Sequence, residues 1–574
     1  MSQDGAAATV LLGIDTVEDD SFDRIEQLRE RAAAAAPDGV AAHLSGPAAS
    51  FYDEVSAFDG IDGRILGATL LVVAVLLLLT YRSPVLWLLP LLAVGVAAVV
   101  SEAVIYLLAE HVDLPVDGQS GGILPILVFG VGTDYALLLL ARYREQLART
   151  PDRHAAMAAA VRRTAPAVLA SSGTVVLGLG CLLLADITST RSLGAVGAVG
   201  VACTALVMLS VLPVLMVLLG RWVFWPYVPH VGDAARTDAR ADRGARRWQR
   251  LAAVLERRPR RVWAGTATVL GLLALSVGVL DVGTGDAGKF RDVPDSVTGQ
   301  EVLAEHFPAG SAAPAAVLAD ADRTGAVTAA VAATPGVADV SRPDPSADGS
   351  RALVEAVLSD PPDSAAAEDT VEALRVKLDR LDGADALVGG TTARALDVAQ
   401  ASVDDALLVI PVVLAVVLLG SVLLPYLTAL GLGGLVLGAM DIDAVDVSLP
   451  MLAFVWLVAL GVDYTIFLVT RIREEAAVHG HAAGVSRGLV ATGGVVTSAG
   501  VVLAATFGVL WQMPIVFMVG LGVVVSLRHP ARHVRRTQPA GPRPRARPRR
   551  PLLVAGRRPR TPASGGDPAV RPNL

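Results

Sequence analysis

Two short blocks of the sequence place an aspartate and a tyrosine side by side inside an apolar run. The first contains Asp134-Tyr135, the second contains Asp463-Tyr464, and the two aspartates lie 329 positions apart. A carboxylate at mid-bilayer costs roughly 2.5–3.5 kcal/mol on insertion scales, so an aspartate inside a membrane span indicates a functional site. A buried aspartate can take up a proton from one side and release it to the other, and an adjacent hydroxyl can hold its geometry. The pattern therefore predicts a duplicated functional site, and the uptake and release of protons is chemistry that it could perform.

The composition predicts a polytopic membrane protein. Hydrophobic residues make up 53% of the 574, charged residues only 18%, and the mean hydropathy is +0.55, which excludes an ordinary soluble protein. Runs of about 20 apolar residues are long enough to cross a bilayer as helices. We predict ten full spans and an eleventh that begins near Ile515 and stops at Arg528. The ten cover residues 64–81, 84–108, 123–141, 165–185, 193–219, 262–280, 406–424, 427–440, 449–469 and 489–510.

Arginines follow both Asp-Tyr runs, each of which ends in Arg-x-Arg-Glu, and they also fill residues 221–261. By the positive-inside rule these loops are cytoplasmic, which puts the two large polar regions, 1–63 and 281–405, outside the cytoplasm. Both motif helices then run from outside to inside. This predicts two parallel repeats whose Asp-Tyr pairs face each other near the middle of the membrane.

The polar regions alternate strand and helix patterns. We predict strands at 9–15, 40–44, 315–318, 337–340 and 352–358, and helices at 22–36, 299–306, 324–333 and 365–381. This pattern favours a small split βαβ, ferredoxin-like domain in each half. The predicted organisation is a partial first extracytoplasmic domain (1–63), a first bundle (64–220), a cytoplasmic Arg-rich linker (221–261), the first helix of the second repeat (262–280), a second extracytoplasmic domain (281–405), a second bundle (406–527) and a disordered basic tail (528–574).

Hydroxyl residues on the helix after each motif could supply further hydrogen bonds to the relay: Ser171, Ser172, Thr497 and Ser498. The alternative is that these hydroxyls bond back to the preceding helical turn. The aspartates could likewise be structural, the tyrosines could serve packing alone, and the arginines after each motif could act as topology anchors. Cys181 and Cys203 are expected to be packing residues. No metal-ligand spacing, nucleotide-binding loop, cofactor motif or nucleophile-base set occurs in the sequence, so neither an enzyme nor a nucleic-acid partner is predicted.

The duplicated Gly-x-Asp-Tyr block, the stretch 300–310 and the stretch 492–500 closely resemble the MMPL family of the RND transporter superfamily, over roughly residues 5 to 527. The resemblance implies twelve spans in two six-helix halves, each with a porter-like extracytoplasmic domain. It also implies export of lipids or other hydrophobic compounds across the bacterial cell membrane, driven by protons relayed through the two Asp-Tyr pairs. Phe467 matches the family's aromatic residue one turn beyond the aspartate, whereas the first copy has Leu138.

Both ends depart from the family pattern. The first expected span is missing before residue 63, which implies an upstream start or a truncated product, and from Arg528 the tail carries 13 arginines against one aspartate. We interpret the tail as a frameshift product, with a basic tail that binds anionic lipid as the alternative. Two further interpretations stay open, a non-transporting membrane scaffold or lipid sensor and an inactive fragment of a transporter. Substrate identity, oligomeric state and accessory proteins are not specified by the sequence.

Overall fold

A computed structural model of the chain describes most of residues 1–535. The described ranges are 1–2, 4–10, 12, 21–37, 39–57, 61–81, 83–226, 228–231, 242–283, 286–307, 309–362, 364–416, 423–442 and 444–535. The structure in these ranges is mainly helical. Its helices are α1 Ser21–Ala35, α2 Pro47–Ser56, α3 Ile61–Tyr81, α4 Leu88–Val112, α5 Gly118–Leu147, α6 Arg153–Gly180, α7 Thr188–Leu219, α8 Asp242–Arg257, α9 Pro259–Ala274, α10 Asp295–His306, α11 Thr324–Ala332, α12 Ala365–Leu378, α13 Thr391–Val416, α14 Leu423–Gly438, α15 Leu449–His479, α16 His481–Gly508 and α17 Val516–Arg535. Its strands are β1 Asp281–Val282, β2 Ala315–Asp320, β3 Val337–Val340, β4 Asp344–Pro345, β5 Arg351–Leu358, β6 Leu387–Gly389 and β7 Ala444–Val445.

Seven helices in the described part of the chain are long and apolar enough to cross a membrane, namely α4, α5, α6, α7, α9, α15 and α16. They confirm the polytopic fold class and coincide with seven of the ten predicted spans. Helix α3 covers the predicted span 64–81, and α13 covers 406–416 of the span predicted to end at 424. Helix α14 is a shorter apolar helix, as its short predicted run, 427–440, indicated.

The two motif helices, α5 and α15, lie at the centre of the bundle. Each packs against the helix that follows the other motif, because α5 contacts α16 and α15 contacts α6. Small residues allow this approach: a Cβ atom on Gly130 would lie 2.9 Å from Leu503 Cδ1, and one on Gly178 would lie 3.9 Å from Ala459 Cβ. The reciprocal packing agrees with the parallel repeat that the sequence predicts.

The second extracytoplasmic region contains a five-stranded antiparallel sheet, in which four strands follow the order β3-β5-β2-β6 and β4 pairs with β5. Along the chain its elements run β2-α11-β3-β5-α12-β6, which is the predicted ferredoxin-like arrangement. Alternate residues of β2 and β5 are buried. They form a core with α11 and α12 through residues such as Val317, Val354 and Val371.

The first extracytoplasmic region differs from its prediction. Helix α1 confirms the predicted helix 22–36, but the described residues of 9–15 and all of 40–44 form no strand. Backbone N–H and C=O groups that do not pair with a neighbouring strand still need a hydrogen-bonding partner when they are removed from water. The Leu44 N–H finds one in the Asp295 carboxylate, at 3.0 Å, rather than in a neighbouring strand. Segment 40–44 therefore serves as a docking edge toward the second region.

A buried polar network joins the two extracytoplasmic regions. Asp53, 6% exposed, accepts hydrogen bonds from Arg29 Nη2 at 2.8 Å and from the Ser296 N–H at 3.2 Å. His43 Nδ1 lies 2.8 Å from Asp295 Oδ1. Burial opposes the charge on Arg29, but the hydrogen bond and charge of Asp53, helped by Asp295, outweigh it and raise the guanidinium pKa. The two regions are thus held together by charge-assisted bonds.

The second region is also fixed to the outer ends of membrane helices. Strand β1, which follows α9, pairs in parallel with β7, which precedes α15. Phe290 forms a β-bridge with Ile515. Arg291 donates from its backbone to Pro514 O and from Nη1 to Trp511 O, both at 2.8 Å. Residues 281–283 and 286–291 are therefore anchored between the domain and the bundle.

The apolar part of helix α17 ends at Leu527, as predicted for the last span. The helix itself continues to Arg535, so the predicted disordered tail is wrong for residues 528–535. Once a helix has begun, each further residue adds a hydrogen bond, and alanine and arginine are good helix formers. The rest of the predicted tail, 536–574, lies outside the described residues. In the predicted linker 221–261, residues 242–257 form α8, whose Leu255 packs near Leu489.

Candidate functional site

The two motif helices bring one aspartate and one tyrosine of opposite repeats into direct contact. The Tyr464 hydroxyl on α15 donates a hydrogen bond to Asp134 Oδ2 on α5. Tyr464 is 2% exposed, and Asp134 is half-buried. The contact ties the two repeats together, and such a bond is stronger when the carboxylate is charged than when both groups are neutral.

Tyr135 occupies the matching position on α5 and is 1% exposed. Its hydroxyl accepts a hydrogen bond from Ser171 Oγ of α6 at 3.2 Å. Of the four predicted hydroxyl residues, Ser171 thus lies beside the motif. Asp463 has its backbone in α15, and its side chain lies outside the described part of the structure.

The other three hydroxyls bond back to their own helices, which is the alternative that the sequence left open. Ser172 donates to Leu169 O at 3.3 Å. Thr497 donates to Gly493 O at 2.8 Å and Ser498 to Val495 O at 2.9 Å. The structure does not bring these three groups to the Asp134–Tyr464 contact. Phe467 is half-buried and packs against the bundle core.

Charged residues that sequence reasoning assigned to topology also connect the repeats. At the predicted cytoplasmic ends of the motif helices, Arg142 Nη2 lies 3.2 Å from Glu474 Oε2. Arg471 lies 3.0 Å from both Glu474 Oε2 and Glu475 Oε1. The repetition of Arg-x-Arg-Glu after both motifs was the signal that could have identified these contacts.

A third connection lies at the opposite end of the bundle. Asp405 of α13 is 2% exposed and accepts hydrogen bonds from the N–H groups of Asp186, at 2.6 Å, and Ile187, at 3.3 Å. These two residues directly precede α7. Free N–H groups at the start of a helix attract a carboxylate. Polar contacts thus join the repeats at both ends and at the centre.

An open cleft of about 410 Å³ lies between the two extracytoplasmic regions. Phe51, Phe290 and Val297 contribute apolar surface, and Arg394 and Glu54 contribute charge. Clefts that combine apolar walls with a few polar groups are typical ligand sites. No group of three metal-ligating side chains occurs among the residues that the structure describes.

Comparison with known proteins identifies the family. The MMPL family model matches residues 1–262 and 295–527. The chain belongs to the MMPL family. Members of this family are membrane transporters rather than enzymes, so the function of this MMPL protein is membrane transport.

Individual relatives agree with this assignment. The membrane protein ActII-3 of Streptomyces coelicolor is 44% identical over 520 residues, which cover 88% of this chain and 72% of the relative. The apo-petrobactin exporter of Bacillus anthracis is 33% identical over 531 residues, which cover 85% and 70%. The hedgehog release protein Disp of the water bear Hypsibius dujardini has a similar structure, with a TM-score of 0.58 at 12% identity over 85% and 71% of the two chains. At this identity the likeness shows the fold alone, which is of the RND type.

Proposed function

We propose that this MMPL protein exports a lipid or another hydrophobic compound and that protons moving through the Asp134 and Asp463 sites drive the export. The observation that carries the proposal is the hydrogen bond from Tyr464 to Asp134. It joins a titratable group of one repeat to a fixed donor of the other, inside a membrane bundle. Protonation of Asp134 can therefore change the contact between the two repeats.

Protonation changes what this contact can do. The ionised Asp134 carboxylate accepts a strong, charge-assisted bond from the Tyr464 hydroxyl. Once protonated, the carboxyl is neutral, and its attraction to the hydroxyl falls to that of an ordinary neutral pair. Uptake of a proton thus weakens the link between α5 and α15, and release restores it. A site that alternates in this way can bias a rocking motion of one repeat against the other.

Tyr135 and Ser171 support the same chemistry from the first repeat. Ser171 Oγ donates to the Tyr135 hydroxyl, so the orientation of that hydroxyl is set by α6. The repeat gives Asp463 the same sequence position in α15 that Asp134 holds in α5. We assign the second proton site to Asp463 on this basis.

We assign the cargo to the cleft between the extracytoplasmic regions. Its phenylalanines suit an apolar moiety, and its charged rim suits a polar head group. Residues 289–291 contribute Lys289 and Phe290 to the cleft and are bonded to the outer ends of α16 and α17. Movement of these helices would therefore reach the cleft directly. The name of the apo-petrobactin exporter supports transport in the outward direction.

The test is export of a fluorescent lipid from proteoliposomes under an imposed pH gradient. Asp134→Asn and Asp463→Asn should each abolish gradient-driven export while expression and folding are kept. Asp113→Asn is the matched control, because this exposed residue ends α4 in a left-handed conformation that asparagine also adopts. Gradient-independent export, or full export by both motif variants, would contradict the proposal. Absence of export by the unmodified chain would favour a scaffold or sensor.

A further inference from the structure

The predicted cytoplasmic ends of α5 and α15 carry the same charges at the same repeat positions. Arg142 corresponds to Arg471, and Glu145 corresponds to Glu474, because each pair is separated by the same 329 positions as the two aspartates. A two-fold arrangement of these helices offers two equivalent crossing ion pairs. One joins Arg142 to Glu474, and the other would join Arg471 to Glu145.

Only one crossing is made. Arg142 reaches across to Glu474, at 3.2 Å. Glu145 stays on its own helix, 3.5 Å from Arg142 and 2.8 Å from Arg149. Arg471 also stays on its own helix, where it pairs with Glu474 and Glu475, and in the described part of the chain no contact joins Arg471 to Glu145. The repeats therefore have equal charges but unequal contacts.

We propose that the two crossings are alternatives that exchange during the transport cycle, with Arg142–Glu474 in the conformation seen and Arg471–Glu145 in its counterpart. This inference rests on the proposed function, because it requires one repeat to rock against the other. Each of the four residues lies at least seven positions, about two helical turns, beyond the Asp134–Tyr464 contact. They are positioning residues that hold α5 and α15 in one of two relative positions.

The physical properties of the pair suit exchange. The side chains of Glu474 and Glu145 are 40% and 29% exposed, and those of Arg142 and Arg471 are 15% and 18% exposed. Ion pairs that are partly open to solvent stabilise a structure only modestly. Each arginine also has a carboxylate on its own helix, so neither loses all partners when a crossing opens. Glu474 lies eleven residues beyond Asp463, about 16 Å along the helix, on the same helix that carries Tyr464. A shift of α15 that breaks the Tyr464–Asp134 bond must therefore also move Glu474.

Cross-linking in the full chain tests the exchange. In a background with Cys181 and Cys203 replaced by alanine, one variant carries Arg142→Cys and Glu474→Cys, and a second carries Arg471→Cys and Glu145→Cys. A short, reducible bis-methanethiosulfonate reagent should link the first pair in the unmodified motif. Arg144→Cys with Arg473→Cys is the matched control, because these exposed residues hold equal repeat positions outside the crossing.

The second arm adds Asp134→Asn, which removes the charged acceptor of Tyr464. Linking of the first pair should fall, and linking of the second should rise, each by about tenfold. Either link should also arrest export until it is reduced. No linking of the Arg471→Cys and Glu145→Cys pair above the control in either background would overturn the exchange. This readout needs no transport, so it can fail while the loss of export in Asp134→Asn upholds the proposed function, or succeed while export is absent.

Discussion

Substitution of one hydroxyl, Tyr464→Phe, gives the sharpest prediction about the relay. It removes the donor to Asp134 and leaves the ring, which is 2% exposed, in place. A hydrogen bond to a charged group contributes about 1.5–3 kcal/mol. Its loss removes about that much of the difference between the contacts that ionised and protonated Asp134 make with α15. At about 1.4 kcal/mol for each factor of ten, export under a fixed gradient should slow about ten- to hundredfold.

The assay is the initial rate of lipid export from proteoliposomes at one imposed pH gradient. Tyr426→Phe is the matched control, because Tyr426 is also buried, 6% exposed, and donates to a neutral acceptor, Pro450 O, at 3.0 Å. It should keep the export rate and lose only about 0.5–1.5 kcal/mol of stability. Thermal unfolding of both variants separates an effect on the relay from an effect on folding.

Two results would refute the reasoning. Export by Tyr464→Phe at the rate of the unmodified chain, with Asp134→Asn inactive, would mean that the hydroxyl takes no part in the relay. A double-mutant cycle of Tyr464→Phe and Asp134→Asn supplies the second. If their effects on unfolding free energy add, the side chains do not interact, since contacting pairs typically show a coupling of about 0.5–3 kcal/mol.

Three further predictions concern the parts that position the site. Gly310→Ala should destabilise the second domain by about 3 kcal/mol, because the new Cβ would lie 2.4 Å from a β5 carbonyl oxygen. The control Gly325→Ala places its Cβ in open space in α11 and should be neutral or stabilising. Hydrogen exchange of the β5 amides measures both variants, and equal effects would contradict the argument. Asp53→Asn should weaken the contact between the extracytoplasmic regions by about 1–3 kcal/mol and speed tryptic cleavage at Arg29. An unchanged rate of cleavage would show that the polar network does not hold the two regions together. Asp405→Ala should accelerate amide exchange just before α7 about fivefold, a cost near 1 kcal/mol. Exchange at the original rate would mean that the carboxylate does not cap the helix.

Much of the fold follows from periodicity and apolar length. The ferredoxin-like domain was predictable because short strand-like segments at 315–318, 337–340 and 352–358 alternate with helix-like segments. In the structure the residues of β2 and β5 alternate mainly between buried and partly buried positions. The central position of α5 and α15 was predictable because a repeated intramembrane aspartate needs a polar partner. The contact that meets this need, from Tyr464 to Asp134, agrees with the expectation that the Asp-Tyr pairs face each other.

Other features depend on partners far along the chain. Residues 40–44 have a strand-like composition, but Leu44 and Ser45 bond to Asp295 and Ser296, about 250 positions away, which no local pattern encodes. The hydroxyls of Ser171 and Ser172 are neighbours in sequence. Only Ser171 reaches the motif, because the rotation of α6 decides which one faces α5. The crossing of Arg142 to Glu474 depends likewise on how two helices are placed.

The bonds from Arg291 to Trp511 and Pro514 have a thermodynamic consequence for the whole cycle. They connect the cleft to the segment between α16 and α17, and α16 packs on α5, the helix that carries Asp134. Linkage is reciprocal, so if a proton at Asp134 alters the affinity of the cleft for cargo, cargo must alter the affinity of Asp134 for a proton by the same factor. A saturating cargo should therefore change proton uptake by the reconstituted protein even without a gradient. Arg291→Gln should weaken this coupling between cargo binding and proton binding and leave the affinity for each ligand alone unchanged.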